Sequence, residues 1–164
     1  MIKTEVEFLT NFKGVNIMAD NMEFEVLVFK ALNQEMAIGV EMVEIVIEKT
    51  EITPVPRAKK IIEGVINLRG KIVPVISLPM LLANESNTEY RKIIIAKLED
   101  VEFGLMVDEV VGVMRVRSEE LETNLGKMNT YGKKAKGLIK KDARLIVYLN
   151  LEEIVKEIIG SEVA

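Results

Sequence analysis

The sequence predicts an all-β protein, mainly strands with short helices, built from two related units that each form a small closed barrel of five strands. Three observations support this prediction. A fifteen-residue stretch of the first half recurs in the second half, short β-branched segments dominate both halves, and each copy ends in a strand followed by a helix-capping residue. Closure into barrels is expected because it removes exposed strand edges.

The recurrence is clearest in the stretch that begins at Gly64. Gly64 corresponds to Gly137, which lies 73 positions later, and no gap interrupts the match over fifteen residues. The apolar positions repeat, but residues 67–70 of the first copy are replaced by an unrelated segment at residues 140–143. A common scaffold requires the shared pattern, whereas a segment present in one copy marks a place where a binding site has been added.

The two units are predicted to be fused into one domain over residues 23–164. A second match, offset by 67 positions, relates residues 25–30 to residues 92–97 and residues 37–43 to residues 104–110. Units of about 70 residues bury too little surface to be stable alone, so they are expected to form one body. The predicted parts are a flexible or partly helical lead-in at 1–22, barrels at approximately 23–84 and 90–150, and a C-terminal helix at 151–160 that packs back.

Five strands are predicted in each unit, from short β-branched segments bounded by turn or charged residues. They lie at 26–29, 36–40, 43–47, 64–68 and 71–76 in the first unit, and at 93–98, 102–107, 110–116, 137–139 and 144–149 in the second. Ser77 and Asn150 are equivalent in the repeat, and both are good N-caps for a following helix. Pro74 cannot donate to a strand ladder, so its strand is predicted to be an edge strand or to bulge there.

The composition excludes several functional classes. The 164 residues contain no Cys and no His, which removes disulfides, zinc–thiolate sites and the commonest general base near neutral pH. The net charge of −4 gives no reason to expect nucleic acid as a partner. No apolar run approaches the roughly 20 residues of a membrane span. We therefore expect a cytoplasmic protein without a cofactor, and the many Lys, Glu and Ile residues are typical of a thermophilic source.

Residues 63–78, which contain the Asn-Leu-Arg-Gly segment, resemble the CheW family of bacterial chemotaxis coupling proteins. Residues 52–56 and 104–110 fit the same family, and the resemblance covers nearly the whole chain. It implies two five-stranded SH3-like barrels related by pseudo-twofold symmetry. It also implies a non-enzymatic adaptor that holds the regulatory domain of the histidine kinase CheA against the cytoplasmic tip of methyl-accepting chemoreceptors, and that meets the membrane only through those receptors.

The resemblance implies that the receptor contacts lie around the Asn-Leu-Arg-Gly segment. A tight hairpin with a turn glycine and a solvated arginine explains the segment equally well, because turn glycines are common. The equivalent turn in the second unit, at residues 142–143 and called the sister turn, has no Arg-Gly pair, so the fold does not require one. Arginine also offers five donors in a planar fork, which favours a binding role. The residues assigned to the receptor are Val43, Glu44, Gly64, Asn67, Leu68, Arg69 and Gly70.

Residues 52–56 alternate apolar and polar side chains around two prolines. A buried linker between strands and an exposed apolar ridge that docks on the kinase both account for this pattern. The resemblance implies contact between barrel ends at this place, with Ile47, Ile52 and Val55 as the kinase-binding residues.

Other patterns leave alternatives open. Six lysines between Lys127 and Lys141 occur without an intervening acid, which is typical of a solvated loop or, less well, of a phosphate or nucleic-acid site. Asp108 and Glu109 are neighbours on a strand and face opposite ways, which argues against an acid–base pair. The alternative functions are a coupling protein of another two-component array, such as one for surface motility, and a small enzyme that uses carboxylates and lysines.

Overall fold

The computed structural model describes residues 22–86, 89–126 and 130–160, so the predicted lead-in lies outside the described residues except for Met22. This part of the chain is mainly β, as predicted. Its strands are β1 (Glu23–Ala31), β2 (Gln34–Gly39), β3 (Val43–Glu48), β4 (Ile62–Leu68), β5 (Lys71–Ser77), β6 (Lys92–Leu98), β7 (Val101–Val107), β8 (Glu109–Arg117), β9 (Leu121–Glu122), β10 (Ala135–Lys141) and β11 (Arg144–Leu149). Its α-helices are α1 (Leu78–Ala83) and α2 (Leu151–Gly160).

The strands form two sheets with the same internal plan. The first sheet has the order β9-β10-β11-β2-β1-β8, and the second has the order β3-β6-β7-β5-β4. Neighbouring strands are antiparallel, except that β11 runs parallel to β2 and β5 runs parallel to β7. A bridge between Thr53 and Val65 continues the second sheet beyond β4, at the place that β9 holds in the first. The two sheets are tandem SH3-like barrels related by pseudo-twofold symmetry.

Each barrel takes strands from both sequence units. The hairpin β1–β2 of the first unit pairs with strands of the second unit, and the hairpin β6–β7 of the second unit pairs with strands of the first. The predicted assignment of one barrel to residues 23–84 and the other to residues 90–150 is therefore wrong. The repeat shows which residues are equivalent, but two equivalent hairpins can each complete either sheet, so the pattern does not reveal the exchange.

The largest apolar core lies between the barrels. Among the described residues it contains eighteen buried side chains, whereas the interior of each barrel contains six. Phe29 and Phe103 in this shared core are fully buried. In the repeat, Phe29 is equivalent to Ala96, and Met36 is equivalent to Phe103. The two units therefore place side chains of different size at equivalent core positions, which allows the shared core to pack densely.

The exchanged hairpins are buried on both faces. In β1, Leu27 and Phe29 contribute to the shared core, while Val26 and Val28 contribute to the interior of the first barrel. Successive side chains of a strand point to opposite faces, so both sets are covered at once. The hairpin therefore joins the barrels through its two faces rather than lying on the surface of one.

Each unit ends with a short helix that is capped as predicted. The backbone N–H of Met80 donates to Ser77 Oγ at 3.3 Å. In α2 the acceptor is Asn150 Oδ1, which receives the N–H of Glu152 at 3.2 Å. The buried side chains of α2, which lie in the shared core, are Leu151, Ile154, Val155 and Ile158. The helix thus covers the junction between the two barrels.

Strand β5 is internal, and its pairing with β4 shows no register shift at Pro74, so the prediction that Pro74 marks an edge strand or a bulge is wrong. Pro74 pairs with Val65 of β4, and the parallel ladder with β7 begins only at Val75. The missing N–H of the proline therefore falls just outside the region paired with β7. The equivalent residue Val147 pairs with Met36 in the sister ladder.

Residues 1–84 expressed alone should show no cooperative thermal unfolding. In this fragment the hairpin β1–β2 loses the strands β8 and β11 with which it pairs, and half of the shared core is missing. A thermal scan by circular dichroism, with the full chain as the reference, measures this. A sharp transition in the fragment would contradict the expectation and show that the first unit is independent.

Candidate functional site

The turn between β4 and β5 carries the segment that is present in only one copy of the repeat. Its central residues Arg69 and Gly70 have positive φ angles of 53° and 86°, as in a two-residue hairpin turn of type I′. Asn67 Oδ1 accepts the backbone N–H of Gly70 at 2.9 Å. Arginine in the left-handed region costs on the order of 1 kcal/mol. The sister turn has Asp142 at this place, a residue type that tolerates the conformation better.

Arg69 borders a cleft of ≈ 480 Å³ at one end of the second barrel. The residues that line it are Glu44, Ile45, Leu68, Arg69, Lys71 and Glu102. Three of the predicted receptor residues therefore lie together, although they come from β3 and from the β4–β5 hairpin. Glu102 comes from β7 of the exchanged hairpin, so both sequence units contribute to the cleft.

Glu44 is the extra residue of a β-bulge. The register between β3 and β6 shifts by one residue between Val43 and Ile45. A bulge changes the direction in which a side chain points and often lies beside a functional site. The first sheet repeats the irregularity in β8, where the extra residue is Val111. Both barrels therefore contain the bulge, but only the second barrel has a glutamate at the bulge position.

The cleft contains two carboxyl groups and a lysine in contact. Lys71 Nζ lies 3.4 Å from Glu102 Oε1. A hydrogen bond with Glu102, together with burial and the negative charge of that group, raises the pKa of Glu44. The hydrogen bond from Glu44, followed by the hydrogen bond from Lys71, lowers the pKa of Glu102. The two carboxyl groups and the lysine therefore influence one another's ionisation in this cleft.

The other predicted receptor residues differ in their exposure. Asn67 and Gly70 are exposed and form the turn, while Val43 is half-buried and packs against the shared core. Gly64 is buried at the opposite end of β4, where an added Cβ would lie 2.4 Å from the carbonyl oxygen of Thr53. A buried residue without a side chain offers no surface to a partner, so the assignment of Gly64 to the receptor is wrong.

Gly64 instead serves the closure of the barrel. At the equivalent Gly137, an added Cβ would lie 2.6 Å from Leu121 Cδ1. In both barrels the chain that completes the sheet passes directly over this glycine. The repeated glycine is therefore explained by close packing of the backbone.

The predicted kinase residues do not form one exposed ridge. Ile47 and Ile52 are half-buried and pack against the interior of the second barrel. Val55 is 41% exposed in the loop that follows β3. The bridge from Thr53 to Val65 draws this segment onto the sheet, which turns Ile52 inward. Val55 is thus the most exposed of the three residues, while Ile47 and Ile52 offer only part of their side chains to a partner, and the assignment of the three to the kinase stays a prediction.

The outer face of the β4–β5 hairpin carries exposed apolar side chains that were not predicted from the sequence. Ile72 is 65% exposed, and Val65 and Pro74 share its face. The equivalent of Ile72 in the first barrel is Leu145, which is 57% exposed. Ile72 alternates with the buried Val73, so its outward direction was readable from the strand pattern. These residues form an apolar surface, which we call the hairpin face (Val65, Ile72 and Pro74).

The lysine-rich stretch does not form a single basic site. Lys134 Nζ lies 3.1 Å from a carboxylate oxygen of Glu157, and Lys141 Nζ lies 3.1 Å from one of Glu120. Lys127 lies outside the described residues. Within the described ranges no three acidic side chains are placed to hold a metal ion, and no helix is long and apolar enough to cross a membrane.

Comparison with known proteins gives a consistent result. A family model described as CheW-like domain matches residues 25–158. The chain is 46% identical over 142 residues to the chemotaxis protein CheW of Thermotoga maritima, which covers 85% of this chain and 93% of that protein. It is 37% identical over 101 residues to the chemotaxis protein CheW of Bacillus subtilis, covering 60% and 65% of the two chains. The scaffolding protein TtCheW from Thermoanaerobacter tengcongensis has a similar crystal structure, with a TM-score of 0.72, 27% identity and coverage of 79% of this chain and 90% of that one.

Replacing Arg69 with glycine should raise the free energy of unfolding by about 0.5 kcal/mol. The strain of the left-handed arginine is relieved, and the greater freedom of the unfolded glycine chain offsets part of the gain. Arg69→Val should lower the free energy of unfolding by about 1–2 kcal/mol, because a β-branched residue fits this region poorly. Chemical denaturation of both variants measures the difference. Equal destabilisation by both would show that the arginine side chain stabilises the turn.

Proposed function

The chain belongs to the CheW-like domain family, and we propose that it is a chemotaxis adaptor that couples methyl-accepting chemoreceptors to the histidine kinase CheA. Its similarity to chemotaxis CheW proteins and to a scaffolding protein supports this role. We assign the receptor contact to the cleft beside Arg69 and the kinase contact to the hairpin face with Val55. In this proposal the protein reaches the membrane only through the receptors.

The receptor assignment rests on one turn that differs in sequence between two otherwise equivalent barrels. The scaffold closes the sister turn with Asp142, yet the first unit holds a strained arginine there. Strain of this kind is retained where it serves a function. The exposed guanidinium offers a planar fork of donors, and Glu44 lies in the same cleft. Together they suit a helical receptor tip that presents polar side chains of both signs.

The observation that supports the kinase assignment is the apolar character of the hairpin face. Ile72 is the most exposed large hydrophobic side chain of the described residues, and Val55 is also exposed. Exposed apolar side chains grouped on one surface mark interaction sites. The regulatory domain of CheA has the same fold by family resemblance, so we expect contact between barrel ends over about 1,200–2,000 Å².

The two contacts share one structural element. Arg69 lies at the tip of the β4–β5 hairpin, and Ile72 lies on its outer face three residues later. A short two-residue turn joins the strands, so the receptor and kinase surfaces cannot move independently. A change in the angle at which the receptor holds the tip is therefore passed to the kinase through this hairpin.

Arg69→Ala should keep the fold and kinase binding but abolish receptor-dependent kinase activation. Loss of a hot-spot arginine at an interface costs about 2 kcal/mol or more, which is roughly a thirtyfold loss of affinity. Arg69→Lys should restore binding only in part, because an ammonium group cannot reproduce the fork. Titration of a receptor-tip fragment into each variant measures the affinity, and circular dichroism reports the fold.

The matched control for this experiment is Asp142→Ala in the sister turn. It changes the equivalent position of the other barrel and should leave the affinity for the receptor fragment unchanged. Unaltered receptor affinity in Arg69→Ala would move the contact away from the cleft, and Glu44 would be the next residue to test.

Ile72→Asp and Val55→Asp should each weaken binding to the CheA regulatory domain with little change in the melting temperature. Both side chains are exposed, so a charge disturbs an apolar contact without entering a core. Ile52→Asp should instead lower the melting temperature, since Ile52 packs against the barrel interior.

Leu145→Asp, on the equivalent face of the first barrel, provides the control for a change of surface charge. A kinase affinity that falls equally in Leu145→Asp and Ile72→Asp would argue against a specific contact at the hairpin face. Surface plasmon resonance with the immobilised regulatory domain distinguishes these results.

A further inference from the structure

Strand β8 presents an unpaired edge of the first sheet. It lies at the end of the strand order, and within the described part of the chain it pairs only with β1. The backbone N–H of Arg117 donates to Glu120 Oε1 at 2.9 Å, and Lys141 Nζ donates to the carbonyl oxygen of Arg115 at 2.9 Å. Backbone groups of alternate residues point to the same side of a strand, so the N–H and C=O of Val113 also point away from β1. No described residue binds these two groups.

The side chains of β8 alternate between the interior and the solvent. Val111 is 43% exposed and Val113 is 58% exposed, although both lie within a strand of nine residues. Pairing with another strand would cover both these side chains and the unpaired backbone of the edge. The exposed positions, in chain order, are Glu109, Val111, Val113, Arg115 and Arg117. The exposed face therefore has an acid at one end, valines in the middle and two bases at the other end.

This order of charges makes β8 complementary to a second copy of itself. In an antiparallel pair of two β8 strands centred on Val113, each Val113 faces the other, and Val111 faces Arg115. The same register places Glu109 of each copy opposite Arg117 of the other. Opposite charges that face each other across two strands stabilise the pair. The pairing therefore covers the valines and joins both ends of the strand by charge.

The charged groups at the two ends of β8 are available to a partner. Arg117 is 53% exposed, and its nearest carboxylate oxygens, on Glu119 and Glu120, lie 3.8 Å and 3.6 Å away. Contacts of this length between exposed side chains contribute little, so they do not hold the guanidinium in place. Glu109 lies opposite Lys30 of β1, and it forms no ion pair with a described residue.

The equivalent edge strand of the second barrel lacks this complementarity. Val46 of β3 lies 67 positions before Val113, and it packs against the shared core instead of facing the solvent. In an antiparallel pair of two β3 strands centred on Val46, Glu44 of each copy would face Glu48 of the other. Like charges that face each other destabilise a pair of strands, and charged side chains commonly keep an edge from pairing. The edge of β3 therefore repels a second copy, whereas the edge of β8 fits one.

We propose that β8 is a self-association surface, through which two copies of this chain pair in an antiparallel, two-fold arrangement centred on Val113. The two central valines exchange backbone hydrogen bonds. The carbonyl oxygen of Arg115 has two lone pairs, so it accepts a bond from the second copy beside the one from Lys141. A two-fold contact closes on itself, which gives a dimer and not a filament. The contact is one strand wide, as in weak and transient interfaces.

Disulfide trapping in the full chain tests the register, because the natural sequence contains no Cys. Residues that face each other in an antiparallel pair have Cα atoms about 4.5–5.5 Å apart, which a disulfide can bridge. Val113→Cys should therefore form a covalent dimer under mild oxidation. Leu145→Cys is the matched control, since Leu145 is 57% exposed and lies outside β8.

The covalent dimer of Val113→Cys should form about tenfold faster than that of Leu145→Cys, because pairing of the strands raises the effective concentration of the two thiols. Non-reducing gel electrophoresis of samples taken during the oxidation measures both rates. Equal rates would show that the thiols meet only by random collision, and would overturn the proposal.

A charge swap tests the complementarity of the two ends of β8. Glu109→Arg and Arg117→Glu should each weaken self-association about tenfold, because like charges then face each other twice in the dimer. The double variant restores opposite charges and should associate as the original chain does. Analytical ultracentrifugation over chain concentrations up to about 1 mM measures the association, and circular dichroism reports the fold. A double variant that associates no better than the single variants would overturn the proposal.

Other occupants of this edge would give different results. If β8 instead binds a segment of the same chain, such as residues 1–21, the original chain remains a monomer at every concentration, and Val113→Cys cross-links no faster than its control. That result would overturn the proposal. The experiments contain neither a receptor fragment nor the CheA regulatory domain, so failure of the dimer leaves the proposed function unchanged.

Discussion

The apolar core between the two barrels is the interaction on which the rest of the structure depends. It is larger than either barrel interior, and it is built from hairpins that each unit gives to the other's sheet. Truncating one of its buried phenylalanines, Phe29 or Phe103, would cost about 3–5 kcal/mol, a large fraction of the 5–15 kcal/mol that stabilises a typical domain. We therefore expect the two barrels to move together as one body.

Rigidity of this kind would suit the proposed adaptor, because a rigid body can pass a change in geometry from one partner to another. The receptor cleft is formed by the β4–β5 hairpin, the bulged β3 and the exchanged β7, so the shared core fixes its shape. The hairpin face belongs to the same β4–β5 element. The two barrels show duplication with local divergence. Both keep the hairpins, the bulge and the ion pair, but the second barrel has Arg69, Glu44 and Lys71 where the first has Asp142, Val111 and Arg144.

Local features of the sequence predicted the strands, the two helix caps and the turn at Arg69, because each depends on neighbouring residues. Features that depend on pairing partners were not predictable. The repeat pattern would be the same with or without the hairpin exchange. Glu102 could not be assigned to the cleft from the sequence, because this requires knowing that β7 lies beside β5. The recurrence of Gly64 in the repeat was visible in the sequence. The reason for a glycine there, the close approach of the Thr53 backbone, depends on a pairing that the sequence does not show. The alternation over residues 52–56 likewise did not reveal which side chains face the barrel, and the structure places Ile52 against the barrel interior.

In the proposed function, one chain binds a receptor and the kinase at the same time through two surfaces of the β4–β5 hairpin. The most direct test is analytical ultracentrifugation of the chain mixed with a receptor-tip fragment and the CheA regulatory domain. We expect a ternary complex that contains all three proteins, with the affinity for either partner unchanged or increased by the presence of the other. Mutually exclusive binding, in which the receptor fragment displaces the kinase domain, would contradict it.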